Sequence, residues 1–118
     1  MMRRYVILTH DHPFLHWDLM LEADGGLRTW RLASPPAAGV TLVAEPLATH
    51  RVAYLDYEGP VSGERGSVNR WDAGTFDWER DDADEVAVTL HGERYHGRLV
   101  LRPDRGGKWL CRCEAAQG

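Results

Sequence analysis

The stretch His16-Trp17-Asp18-Leu19-Met20-Leu21-Glu22-Ala23-Asp24-Gly25-Gly26-Leu27-Arg28-Thr29-Trp30-Arg31-Leu32 decides how this chain folds. Its two arms are rich in aliphatic and aromatic residues, and Asp24-Gly25-Gly26 between them is a hairpin turn signal, because tight hairpin turns need backbone angles that glycine supplies. The arms read as a strand over 16–22 and its return over 27–32. Side chains alternate across a strand. His16, Asp18, Met20 and Glu22 therefore share one face, and Trp17, Leu19 and Leu21 share the other.

Outward from this hairpin the same grammar continues. Residues 4–9 read as a preceding strand, and 40–44, 51–57, 68–71, 75–79, 86–90, 94–101 and 108–113 as later ones. Turn signals separate them: Ser34-Pro35-Pro36-Ala37-Ala38-Gly39, Gly59-Pro60, the polar loop 62–66, Asp72-Ala73-Gly74, the acidic turn 81–85, His91-Gly92 and Asp104-Arg105-Gly106-Gly107. Helical periodicity is nowhere sustained. Many short strands with regular turns predict an all-β fold, a compact single-domain β-barrel of short antiparallel strands spanning 1–118. Closure also removes the exposed edges that so many strands would otherwise leave.

Bulk properties narrow the function. At 118 residues the chain suffices for one domain with one core. A formal net charge of -4 excludes the broad basic surface of a strong nucleic-acid binder. Any polynucleotide contact is expected to be local, such as a strand end. Tyr5-Val6-Ile7-Leu8 is too short an apolar run for a signal-peptide core or a membrane span. Cys111 and Cys113, the only cysteines, read as reduced thiols, and the expected location is cytoplasmic.

Three of the six histidines lie in His10-Asp11-His12-Pro13-Phe14-Leu15-His16-Trp17-Asp18. Imidazole and carboxylate are ligands for divalent metals. His16 and Asp18, two apart on a strand, can hold one ion, and His10 can fold back across the short connection as a third ligand. The result is a two-histidine, one-carboxylate face with open positions, as a catalytic metal requires. His12, before Pro13, is expected to face solvent. His50 and Tyr54 form a second pair, on one face of the strand expected at 51–57 and its entry. The residues by themselves favour the plainer reading, a loop histidine and a core aromatic with a wet tip. Trp17, Trp30, Trp71, Trp78 and Trp109 are expected in the barrel core. Cys111-Arg112-Cys113 lacks a second pair at zinc-site spacing.

With these residues in view, the chain resembles the 3'-phosphoesterase domain family of bacterial DNA ligase D, as a free-standing member. Val6-Ile7-Leu8-Thr9-His10-Asp11 followed by Leu15-His16-Trp17-Asp18-Leu19-Met20-Leu21-Glu22 is similar to the family's histidine, then histidine-aromatic-aspartate block. Gly26-Leu27-Arg28-Thr29-Trp30, Tyr54-Leu55-Asp56-Tyr57-Glu58-Gly59, Trp71-Asp72-Ala73-Gly74-Thr75-Phe76, Leu90-His91-Gly92-Glu93, Gly97-Arg98-Leu99 and Lys108-Trp109-Leu110 keep the family's order. The resemblance implies a divalent ion, manganese first and zinc or another second, at His10, His16 and Asp18. It implies phosphate-site roles for His50 and Tyr54. It also implies healing of the 3' end of a DNA or RNA-DNA strand by removal of a terminal ribonucleoside and then the 3'-phosphate, with an end-joining ligase or polymerase as partner and no membrane.

The chain departs from the family at cations. Met20 stands where the family usually has an arginine. The family's lysine is missing around Ala33-Ser34-Pro35, and no arginine matches at Leu42-Val43-Ala44. Arg28, Arg31 and Arg51 are the candidate replacements, Arg51 being aimed away if 51–57 is a strand. Two expectations follow: a metal-dependent phosphoesterase, or an inactive metal-binding barrel that docks nucleic acid or a partner.

Overall fold

The computed structural model describes residues 2–116. Nine strands are present among them: β1 (Arg3–His10), β2 (His16–Ala23), β3 (Gly26–Leu32), β4 (Thr41–His50), β5 (Gly59–Pro60), β6 (Ser67–Asp81), β7 (Val86–Gly92), β8 (His96–Pro103) and β9 (Trp109–Ala115). Neighbours run β1-β2-β3-β4-β9-β8-β7-β6, and β6 pairs back onto β1, so eight antiparallel strands close into a barrel. The two-residue β5 extends the sheet beside the start of β6.

Alternation sends one set of side chains into the barrel. Tyr5, Ile7, Leu19, Leu21, Trp30 and Phe76 belong to this interior cluster. The opposite face of β1, β2 and β3 would ordinarily meet water. Here its Val6, Leu8, Met20 and Leu27 join Leu55 and Val68 in a second buried cluster. Val6, Ile7 and Leu8 are each 0% exposed, so β1 is buried on both faces. That is the physical meaning of its unbroken apolar run.

The cover on the outer face is the chain between β4 and β6. It crosses the barrel wall as a one-turn 3-10 helix, Val52–Leu55, where a strand over 51–57 is expected from sequence. The turn closes through Tyr54 N–H to the Arg51 carbonyl (3.1 Å) and Asp56 N–H to the Ala53 carbonyl (3.2 Å). Leu55 inserts into the outer cluster. Arg4 pairs with Asp56 at 2.6 Å, and the backbone N–H of Arg70 donates to Glu58 at 2.8 Å. Hydrophobic burial and these two ties hold the segment flat against β1.

The Asp72-Ala73-Gly74 signal is also corrected. These residues lie inside the continuous strand β6, not in a turn. A bulge opposite Ile7 and Leu8 turns Asp72 inward. Its Oδ1 accepts the backbone N–H groups of Glu93 (3.0 Å) and Arg94 (3.1 Å). Its Oδ2 accepts the N–H of Tyr95 (3.0 Å) and the hydroxyl of Tyr5 (2.9 Å). Burial, then the bond to Asp72, push the Tyr5 phenol well above its ordinary range. Gly74 is required by packing, because a Cβ there would lie 2.2 Å from the His91 carbonyl oxygen. The aspartate and glycine that mimic a turn instead close the β7–β8 connection from inside.

Smaller differences follow the same logic. β4 runs through to His50 rather than ending at 44, with Pro46 tolerated inside it. His91 and Gly92 end β7 instead of forming a turn. Of the tryptophans only Trp30 is fully buried, at 2% exposure, while the other four pack half-buried against the interior cluster. Cys111 and Cys113 are free, buried thiols of the interior. The contact with Cys113 and then burial raise the Cys111 thiol well above its usual range.

Two stability measurements test this account. Asp72→Asn keeps the side-chain shape but sets an amide donor against donors, and is expected to cost about 3 kcal/mol in denaturant unfolding. Leu55→Ala is expected to cost about 2 kcal/mol or more, with faster hydrogen exchange at the Tyr54 and Asp56 amides than in the barrel strands.

Candidate metal centre

The β1–β2 ladder brings the first two histidines together. His10 and His16 are direct partners on its last rung, and their ring centroids lie 4.9 Å apart. Asp18 sits two residues along β2, opposite Leu8. All three project from the outer wall under the edge of the covering segment. His16 and Asp18 are buried and His10 is partly buried.

Backbone carbonyls set the proton positions. His16 Nδ1 lies 2.8 Å from the Phe14 carbonyl oxygen, and His10 Nε2 lies 2.8 Å from that of Arg65. A carbonyl only accepts, so each of those nitrogens carries the hydrogen. In the neutral form of each ring the other nitrogen carries the lone pair that a metal needs. His16 Nε2 is 3.1 Å from Asp18 Oδ1, and His10 Nδ1 is 3.4 Å from Asp18 Oδ2. His16 Nε2 and Asp18 Oδ1 are buried and have no hydrogen-bond partner. Two lone pairs facing a carboxylate repel unless a cation sits among them. One ligand atom from each residue lies within 4.8 Å of the others, so the three fit a single divalent ion. The second ring nitrogen held by a backbone carbonyl is the usual support for a metal-binding histidine.

The loop after β5 completes this support. Val61 N–H bonds to the Gly66 carbonyl at 2.8 Å, and Ser67 N–H donates to Asp11 Oδ1 at 2.8 Å. Gly66 has a φ of +75°, and a Cβ on it would lie 2.1 Å from Asp11 Oδ1. Only glycine lets the loop approach closely enough for Arg65 to reach His10. Asp11, beside His10 in sequence, ties the loop to β1.

A cavity of about 220 Å³ opens beside the three residues. His10, Asp18, His50 and Tyr54 all line it, so the two pairs singled out in the sequence face one space. They meet by a route other than strand alternation. His50 is the last residue of β4, Tyr54 lies on the 3-10 helix, and their rings stand edge to face at 5.8 Å. His50 Nδ1 donates to the Ala48 carbonyl at 2.8 Å, which leaves the lone pair on Nε2. His12 also lines the cavity, so its outlook is toward the site rather than solvent alone.

The cations around the cavity differ from those the sequence singles out. Met20 is 1% exposed and forms apolar floor. Arg31 is the direct cross-strand partner of Asp18, lines the cavity and makes no ion pair among the described residues. Its Nε is buried without a partner, and its guanidinium lies 5.5 Å from the centre of the Phe14 ring. Glu45, its partner on the other side, is engaged by Lys108, which holds the Glu45 carboxyl below its ordinary range. Arg28 is taken up by Asp81. Arg51 is not on a strand; it lines a neighbouring cleft of about 270 Å³ that shares Tyr54 and Val61 with the cavity. Arg65 lines the cavity too, with its Nε donating to the Ser62 carbonyl at 2.7 Å. Sequence reasoning missed Arg65, for which the flanking Gly63 and Gly66 were the available signal.

Comparison with known proteins bears on this arrangement. Residues 8–102 match the family model of the DNA ligase D 3'-phosphoesterase domain. The chain is 37% identical over 115 residues to the multifunctional non-homologous end joining DNA repair protein LigD of Mycobacterium tuberculosis, covering 90% of this chain and 15% of that protein. It is 32% identical over 123 residues to the multifunctional non-homologous end joining protein LigD of Mycolicibacterium smegmatis, covering 91% and 16%. Its identity to the LigD protein of Pseudomonas aeruginosa is 31% over 116 residues, covering 89% and 14%. The chain thus spans about 15% of the length of the curated relatives it matches.

Metal binding is directly measurable. Manganese titrated into the protein is expected to bind at one ion per chain in the cavity and to stabilise the fold by about 2.7 kcal/mol at a hundred times its Kd. Both effects are expected to disappear in Asp18→Ala, read by calorimetry and thermal unfolding.

Proposed function

From the premise that this chain belongs to the DNA ligase D 3'-phosphoesterase domain family, we propose that it is a divalent-metal-dependent phosphoesterase acting on the 3' end of a DNA or RNA-DNA strand. It removes a terminal ribonucleoside and then the 3'-phosphate, leaving a hydroxyl for an end-joining polymerase or ligase in the bacterial cytoplasm. The observation that carries this reading is the convergence of His10, Asp18, Arg31, His50 and Tyr54 on one cavity.

Each side chain has a role that its geometry supports. His10, His16 and Asp18 hold the ion, manganese in this reading. When bound, the ion supplies positive charge against a phosphate oxygen. Arg31 clamps a second phosphate oxygen with a planar, permanently charged fork. It thereby supplies from β3 the cation that the family usually carries at the position of Met20. His50, with its lone pair on Nε2, takes a proton during the attack of water on phosphorus. It returns the proton as the bond from phosphorus to the leaving oxygen breaks. The Tyr54 hydroxyl donates a hydrogen bond to the phosphoryl group. Met20, Leu47 and Val68 exclude bulk water from one side of the cavity. The cleft shared through Tyr54 gives the terminal nucleoside room beside the phosphate.

A second reading, a barrel that holds the ion and docks without cleaving, draws on the cations missing at Met20, around Ala33-Ser34-Pro35 and at Leu42-Val43-Ala44, and on the net charge of -4. A primer-template with a 3'-phosphate or a 3'-terminal ribonucleotide, incubated with manganese, distinguishes the two. The wild type is expected to heal the end, and His10→Ala and His16→Ala to abolish healing. Arg31→Ala is expected to lower kcat/KM roughly a hundredfold while leaving manganese stoichiometry unchanged. Stoichiometric manganese without healing would overturn the enzyme reading in favour of docking.

A further inference from the structure

Two further histidines lie on the outer wall of β7 and β8, on strands other than those that carry His10, His16, Asp18 and His50. His91 and His96 are direct partners on the last rung of the β7–β8 ladder. Their rings meet edge to face at 5.2 Å, and His91 Nδ1 lies 3.3 Å from His96 Nε2. On the other side of the ring, His91 Nε2 donates to Asp77 Oδ2 at 2.8 Å. A carboxylate only accepts, so this bond puts the hydrogen on Nε2 and the lone pair on Nδ1. The Nδ1 lone pair is aimed at His96.

The separation has a chemical reading. Imidazole nitrogens bind zinc at about 2.0–2.1 Å in tetrahedral sites, which places two such nitrogens about 3.3 Å apart. The pair already stands at chelating distance. His96 is exposed, so its hydrogen can move to Nδ1 and meet water. Asp77 occupies the outer-support position that metal-binding histidines commonly have. A cleft of about 490 Å³ beside the pair leaves room for water ligands.

The nearby carboxylates are already engaged. Glu79 is held by Thr89 and by Arg98 at 2.6 Å. Glu114 is held by Arg98 at 3.2 Å and Arg112 at 2.8 Å. The donor set is therefore nitrogen alone, which favours nickel, copper and zinc over manganese and magnesium. The geometry points to a second divalent-cation site at His91 and His96, oriented by Asp77 and selective for ions of the nickel-copper-zinc class. It is independent of the cavity, whose carboxylate also suits harder ions.

Nickel binding by equilibrium dialysis tests this on the full chain, with circular dichroism confirming that each variant folds. His96→Ala is expected to bind one nickel ion fewer than the wild type. His10→Ala is expected to keep the ion at His91 and His96. Asp77→Ala is expected to weaken that ion's binding about 10- to 100-fold. Saturating manganese is expected to leave it in place. Equal nickel binding by His96→Ala and the wild type would overturn the assignment, as would loss of all bound nickel in His10→Ala.

Discussion

Burial of the outer face of β1 and β2 is the constraint on which the rest of this structure depends. A barrel needs only its inner face to be apolar, yet Val6, Leu8 and Met20 face outward and are still buried. They are covered because residues 51–66 cross the wall and insert Leu55 among them. That crossing brings Tyr54 opposite His50, the Arg65 carbonyl to His10, and Gly66 against Asp11. The candidate site is the seam between barrel wall and covering segment, and a loosened segment would separate its halves.

Electrostatics within the seam are arranged by neutral groups as much as by charges. Backbone carbonyls of Phe14, Arg65 and Ala48 each take one histidine hydrogen and so orient three lone pairs. Asp18 gives the seam its buried negative charge, and Arg31, opposite it on β3, and Arg65 line it as cations without an ion-pair partner among the described residues. Lys108 pairs with Glu45, the neighbour of Arg31 on β4. The proposed metal and phosphate subsites rest on this balance, a negative charge and a positive one side by side. The loss of an arginine at Met20 reads differently once β3 is in view, because a cation can reach the same space from a neighbouring strand.

Much of the fold was legible because strands announce themselves locally. The Asp24-Gly25-Gly26 turn, the alternation around His16 and Asp18, and seven of the eight barrel strands follow from pattern and turn chemistry, with ends displaced by up to six residues, whereas 68–71 and 75–79 belong to one strand, β6, rather than two. The failures share one cause. Asp72-Ala73-Gly74 has turn chemistry, but its aspartate serves backbone donors more than twenty residues away. Residues 51–57 have strand composition, but their apolar residues bury against another element's face, and a helical turn presents Leu55 to it while leaving Val52 exposed. In both cases a long-range partner outweighed local propensity.

By itself, the sequence determined the class of fold, the face shared by His16 and Asp18, and the grouping of His10, His16 and Asp18 as candidate ligands for a divalent ion. Those depend on the two-residue period of a strand and on donor chemistry, which are local properties. Only the tertiary structure decided that the site lies outside the barrel, that His50 and Tyr54 join it from two different elements, and that Arg31 rather than Arg28 or Arg51 stands free beside Asp18. Register across β2, β3 and β4, and the path of the covering segment, set those relations, and neither is written in the spacing of residues along one strand.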